Sequence, residues 1–231
     1  MKIAIVDIDS ILWSMDAPWY KELIKINPEC PYPGKLPIWD FYKGYISDSD
    51  FKKTIDIIHM QQDKYPCFVD APELTNMLHD AGFYVKIASH RTAKSKEATA
   101  TWLHNNNIYY DELHTVDNKY FLLDDATLFI DDSPYSQEYA LNKNITVFSL
   151  VYPYNKHVEG VYFYDNLKDL IKNLRIWLEL EISKKFVTIP VELYEELRSD
   201  SLFLSCLNGA GVDNWDGYEF AIDSFEELSK N

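Results

Sequence analysis

The stretch KIAIVDIDSIL, Lys2 to Leu12, decides how the rest of the chain is read. Lys2–Val6 is a short apolar run rich in β-branched residues, the composition of a strand buried on both faces of a parallel sheet. It ends in Asp7, with Asp9 two residues on. Similar runs follow at Tyr84–Ala88, Glu112–Val116, Thr127–Ile130 and Ile145–Phe148, and Val161–Tyr164 is a candidate sixth. Helical patterns lie between them. Ala71–Asp80 carries Leu74, Met77 and Leu78 at helical spacing, with Gly82 just beyond as a stop. Ala93–Asn106 and Ser133–Leu141 are further helices, the latter entered through Ser-Pro. Leu167–Leu180 is amphipathic, with Leu167, Leu170, Ile171, Leu174 and Leu178 on one face. Strands alternating with helices predict an α/β fold, a doubly wound, Rossmann-like parallel sheet.

Ligands of such sheets bind outside the carboxyl ends of the strands. There the sequence places Asp7 and Asp9, Ser89 after the second strand, and Asp131-Asp132 after the fourth, with Lys119 in the segment before the fourth. Four carboxylates at one edge repel one another unless a cation, a shared proton or solvent intervenes. Oxygen ligands with open positions suit Mg²⁺, which keeps waters and takes a phosphate oxygen. A lysine and a hydroxyl beside such a metal make sense for a phosphate ligand, because phosphoryl transfer demands positioning and charge neutralisation. A carboxylate nucleophile divides hydrolysis into two steps through an aspartyl-phosphate, and a second carboxylate serves as acid and base. His90 and Arg91 either touch the phosphate or leaving group or simply begin a helix. Lys94 and Lys96 are rivals to Lys119, better read as solvent-facing.

In order and spacing, IVDIDSIL, KIASHR, DNKYF and LFIDDSP resemble the four signature elements of haloacid dehalogenase-like phosphatases, over roughly residues 1–150. The resemblance implies Asp7 as nucleophile and metal ligand, and Asp9 as general acid/base that offers its backbone carbonyl to Mg²⁺. It implies Ser89 on a phosphate oxygen, Lys119 holding nucleophile and phosphate, and Asp131 with Asp132 completing the metal site. Ser10 and Ile11 depart from the family pattern, where Gly or Thr is frequent, in the turn after Asp9.

Between the first strand and the Ala71 helix lies an insert, residues 14–68, dense in proline and aromatic residues. A structureless loop of that length is improbable in a compact domain. It is expected to be a small, mostly helical cap, matching in place the first type of cap of that family. The catalytic core then comprises residues 1–13 and 69–182. Cap size and aromatic content resemble the 5′-(deoxy)nucleotidase branch, which implies a nucleoside monophosphate substrate. Trp39, Phe41 and Tyr42 are the candidates to stack on a base, although such aromatics more often form a small core of their own.

A net charge of −15 disfavours large nucleic acid as a partner, while a small phosphorylated metabolite stays compatible once a metal ion reverses the local field. Cys30, Cys67 and Cys206 read as free thiols of a reducing compartment. The apolar run at the N-terminus is too short for a signal peptide, and no stretch is long enough to cross a bilayer. The expectation is a cytoplasmic protein without a membrane partner. Residues 186–231 are expected to form a small C-terminal module of three short helical segments. Its AGVDNWDGYEFAIDSF stretch, residues 210–225, resembles a tail of proteins encoded by bacteriophages and their hosts. Gly209 and Gly211 would end one helix, Asp213 or Asn214 would cap the next, and Trp215 and Tyr218 would pack on Leu202, Phe203 and Leu207. The module is read as an appendage, with protein binding or self-association as its functional alternative. Two other functions remain open: a PIN-type metal-dependent nuclease, which also gathers carboxylates at a sheet edge, and a non-enzymatic binding protein with a relic site.

Overall fold

A computed structural model describes residues 2–183, 189–209 and Tyr218. Six parallel strands form one sheet: β1 (Lys2–Val6), β2 (Phe83–Ser89), β3 (Glu112–Thr115), β4 (Leu128–Ile130), β5 (Thr146–Leu150) and β6 (Tyr162–Tyr164). Their spatial order is β3-β2-β1-β4-β5-β6, so β1 lies in the middle and the chain reverses its winding direction there. The helices are α1 (Asp16–Ile26), α2 (Asp48–Met60), α3 (Ala71–Asp80), α4 (Lys96–Asn105), α5 (Pro134–Asn142), α6 (Leu167–Ser183) and α7 (Val191–Gly209). None of the described helices is long and apolar enough to cross a membrane.

The strand period of two sorts the apolar residues into two clusters. Ala4 and Val6 of β1, Leu128 and Ile130 of β4, and Phe148 of β5 share one with Leu74, Trp102, Leu170 and Leu174. Ile3 and Ile5, Phe129 and Val147 share the other with Leu122, Leu123 and Ala140. Burial on both faces explains why these strands read as continuous apolar runs rather than alternating ones. Each such side chain withdrawn from water contributes roughly 1.5–3 kcal/mol.

Left-handed residues end three helices. Gly82 (φ +79°) follows α3, and its N–H donates to the His79 carbonyl. Asn107 (φ 55°) and Asn144 (φ 59°) follow α4 and α5, and in each case the next residue, Ile108 or Ile145, returns a hydrogen bond to Leu103 or Ala140. This closure satisfies late helical carbonyls and drops a buried isoleucine into the core.

The insert is helical, as expected: α1 and α2 lie in it, with 3₁₀ turns at Pro33–Lys35 and Gln62–Lys64. Trp19 meets Phe41 and Phe51 edge-on, and its indole N–H donates to Thr54 Oγ1, so α1 and α2 hold a small aromatic core. Beyond α6, the described residues hold one helix that is longer than expected and ends at Gly209, where a helix end was expected. A single 19-residue helix, α7, replaces the first of the short segments. Its Leu202, Phe203 and Leu204 are exposed. The capping and packing expected of Gly211, Asp213, Asn214 and Trp215 lie outside the described residues. Compactness divides the chain into Met1–Leu180 and Glu181–Asn231.

Ser10 adopts a left-handed backbone, φ 60°, in the turn where the family pattern favours other residues. Its carbonyl accepts a hydrogen bond from Tyr152 Oη, and the N–H groups of Ile11 and Leu12 close the turn onto Ile8. A small polar residue tolerates this geometry, whereas a β-branched one does not. Ser10→Val is expected to lower unfolding free energy by about 1–2 kcal/mol in urea denaturation, with Ser10→Gly close to wild type.

Candidate active site

Backbone register builds the site. Val6 is paired with Ile130, and the Asp7 N–H donates to the Ile130 carbonyl at 2.8 Å, which sets Asp7 beside Asp131 and Asp132. One oxygen of each of the three carboxylates lies within 4.8 Å of the others, and all three side chains are buried. Lys119, the residue before a 3₁₀ turn at Tyr120–Leu122, sends its ammonium 2.5 Å from Asp131 Oδ2 and 3.1 Å from Asp7 Oδ1. Lys94 and Lys96 are exposed, and Lys119 is the lysine that lies beside Asp7 and Asp131.

Electrostatics follow from burial. Desolvation raises the Asp7 pKa to about 7, with Lys119 opposing and the Asp131 and Asp9 charges adding to it. Desolvation, then the charges of Asp131 and Asp7, push Asp132 well above the carboxylate range. Burial acts to lower Lys119, but Asp131 and Asp7 outweigh it and hold the ammonium above its usual range. One ammonium is therefore too little positive charge for three buried carboxylates. Asp7 Oδ1, buried, completes no hydrogen bond. An all-oxygen donor set short of positive charge fits Mg²⁺. Asp7, Asp131 and Asp132 are the side chains that would hold it.

The side chain of Asp9 stands apart from that group, although the sequence reading gathered four acidic side chains on one cation. Its Oδ1 accepts from Arg91 Nη2 at 2.8 Å and from Trp13 Nε1 at 2.9 Å, and its Oδ2 accepts from Ser89 Oγ at 2.9 Å. Burial raises the Asp9 pKa, but the charges of Arg91 and His59 outweigh it and hold the carboxyl well below its usual range. Ser89 is fully buried and committed to Asp9, while Arg91 is buried and spans Asp9, Ser89 and Thr99. His90 is exposed and its ring nitrogen contacts the Asp117 carbonyl.

Over these groups lies a cavity of about 480 Å³, lined from below by Asp7, Asp9, Lys119 and Asp132 and from the insert by Trp39, Phe41 and Tyr42. Phe41 and Tyr42 serve two purposes: Phe41 sits in the buried cluster and Tyr42 stacks on Phe51 at 3.5 Å, yet both border the cavity. Trp39 packs edge-on against Tyr154, whose hydroxyl donates to Asp132 Oδ2 at 2.6 Å.

Sequence reasoning set His59 aside as structural or exposed. It is buried on α2, with Nε2 3.2 Å from Asp9 Oδ2, and neither ring nitrogen makes a well-formed hydrogen bond. The signal available was its place beside Ile58 and one helical turn after Ile55, on the core-facing stripe of α2. Tyr154 and Trp13 offered no signal, since their roles arise from contacts distant in sequence or from a local turn.

Among solved structures, a haloacid dehalogenase-like family hydrolase from Streptococcus pneumoniae aligns at TM-score 0.54 and 10% identity, covering 75% of this chain and 98% of its own. A hydrolase from Pseudomonas syringae aligns at TM-score 0.52 and 16% identity, covering 76% and 98%. The fold is haloacid dehalogenase-like. A family model described as phage T7 gp5.9 RecBCD inhibitor matches residues 168–228, outside most of the haloacid dehalogenase-like core. No curated protein matches the chain.

Two outcomes check this geometry. Asp7 keeps its proton up to about pH 7 in the folded state against 3.8 for the ordinary carboxyl, so its contribution favours folding at low pH and is lost as pH rises through that window. Metal-free wild type is expected to lose stability relative to Asp7→Asn between about pH 4 and 7, on the order of 4 kcal/mol in thermal and urea unfolding. Added Mg²⁺ restores the wild type and leaves the variant unchanged. Tyr154→Phe removes a hydrogen bond to Asp132, one of the carboxylates that would hold the ion, and is expected to weaken Mg²⁺ binding about tenfold by calorimetry.

Proposed function

We propose that this chain is a Mg²⁺-dependent phosphomonoesterase that acts through an aspartyl-phosphate on Asp7. The observation that supports it most is the buried Asp7 carboxylate that borders the cavity, grouped with Asp131 and Asp132 and balanced by Lys119. Asp7 attacks phosphorus, the ester bond to the leaving oxygen breaks, and water then releases inorganic phosphate from the acyl phosphate. Bound Mg²⁺ would supply the charge that keeps Asp7 ionised and neutralises the phosphoryl oxygens. Lys119 fixes the Asp7 side chain and adds a positive charge near the reacting oxygens. Asp9, held ionised, suits the base of the second step, which takes a proton from the attacking water. For Asp9 to protonate a leaving oxygen in the first step, its contacts with Arg91 must loosen as the substrate enters.

The cavity favours a small substrate, and its aromatic wall suits a 5′-(deoxy)nucleoside monophosphate. Arg91 and Ser89, occupied by Asp9 in the structure, become phosphate donors only if they exchange that partner. His90 faces solvent at the mouth.

The match of residues 168–228 supports a second reading for the C-terminal unit: a protein-binding module, whether its partner is RecBCD, as the description of that family suggests, or a second copy of this chain. The exposed Leu202, Phe203 and Leu204 of α7 agree with a protein-binding role. Biolayer interferometry against RecBCD, with light scattering for self-association, separates the two. Neither interaction at micromolar concentration would remove the reading.

The enzymatic reading is tested by phosphate release with Mg²⁺ from a panel of nucleoside monophosphates and sugar phosphates. Asp7→Asn and Lys119→Met are each expected to lose activity by about a thousandfold or more with circular dichroism unchanged. Activity equal to wild type in Asp7→Asn would overturn the assignment of the nucleophile.

A further inference from the structure

The cavity carries far more negative charge than its chemistry requires. Its walls hold seven carboxylates against three basic side chains. Asp7, Asp9 and Asp132 belong to the floor. Asp16, Asp48, Asp56 and Asp117 do not: they stand around the wall and mouth. None of these four has an ion-pair partner among the described residues. Of the basic groups, Arg91 is engaged by Asp9, and Lys119 by Asp7 and Asp131, which leaves exposed Lys52. His59, with Nε2 3.2 Å from Asp9 Oδ2, is directed at the floor, and His90 is exposed.

The wall between the carboxylates is aromatic, with Trp39, Phe41, Tyr42 and Phe51 bordering the same space. His59 Nδ1, buried on a residue that borders this space, has no hydrogen-bond partner, and Asp7 Oδ1 has only the Lys119 ammonium 3.1 Å away, so the cavity can receive polar groups of a ligand. Asp16 and Asp56 are half-buried, where charges act on a ligand more strongly than in open solvent, while Asp48 and Asp117 are exposed and act through more water. One metal ion and the phosphate it accompanies nearly cancel, which leaves the outer carboxylates to act on whatever the phosphate is attached to. A second anionic group there would meet repulsion from Asp16, Asp48 and Asp56 and find, among the described residues of the lining, only exposed Lys52 as an unpaired cation.

We propose that Asp16, Asp48, Asp56 and Asp117 are specificity-determining residues, which restrict the site to phosphomonoesters with an aromatic leaving group that is uncharged or cationic. The inference rests on the phosphatase reading. It sets nucleoside monophosphates apart from bisphosphates, diphosphates and phosphorylated carboxylic acids. Thr92 Oγ1 donates to Asp56 Oδ1, which ties this selectivity to the contact between α2 and the loop after β2. Exclusion works by misplaced charge rather than by size, as specificity often does.

The test uses the full chain with Mg²⁺ and three esters of similar leaving-group acidity: 4-methylphenyl, 4-(carboxymethyl)phenyl and 4-(aminomethyl)phenyl phosphate. The expected kcat/KM order is aminomethyl at or above methyl, with carboxymethyl lower than methyl by about tenfold or more. In Asp16→Asn/Asp48→Asn/Asp56→Asn the penalty on the carboxymethyl ester shrinks toward unity, whatever happens to the absolute rates. Equal kcat/KM for the methyl and carboxymethyl esters in wild type, or an unchanged ratio in the variant, overturns the proposal. If none of the three is hydrolysed, calorimetric binding of the matching benzylphosphonates decides instead. The same charge ranking, lost in the variant, would uphold the selectivity while the phosphatase reading falls, and an absent ranking would sink the selectivity as well.

Discussion

Three carboxylates crowded into a dry sheet edge with one lysine set the terms for the rest of this molecule. Asp7, Asp131 and Asp132 are held there by β1–β4 register, so relieving their repulsion by moving apart would break the backbone pairing that makes the sheet. Lys119 relieves part of it, the Tyr154 hydroxyl another part. What is left is a standing demand for a cation.

A few ångströms of backbone separate this from a group of opposite character. Asp9 is surrounded by donors from Arg91, Ser89 and Trp13, so its negative charge is satisfied where that of Asp7 is not. Two aspartates of one short segment are thus driven in opposite directions by their surroundings, which is how a single fold obtains distinct roles from identical side chains. The insert takes part in both: His59 of α2 approaches Asp9, and Trp39 packs on the Tyr154 that holds Asp132.

The sheet was legible because each strand is buried on both faces and so carries a run of apolar residues that a helix of the same length would interrupt. β6, at the edge and partly exposed, gave a fainter mark. The positions of Asp7, Asp131 and Lys119 could be read because they follow strand ends or precede them. The partners of Asp9 could not, since Arg91 reaches it across 82 residues and nothing local marks that approach. His59 shows the same limit: periodicity places it on the buried side of α2 but is silent about which element covers it. The continuous α7, where short segments were expected, reflects the absence of a strong breaker between Val191 and Gly209, a pattern that outweighs its weakly segregated apolar residues.

Helix α6 sits under two descriptions at once. Leu170, Ile171, Leu174 and Leu178 are buried against the sheet, yet the phage-family match begins at residue 168. Removing the chain from that first matching residue onward would strip the α/β core of a buried helix face worth several kcal/mol, so the edge of the match is not a place where the fold can be cut.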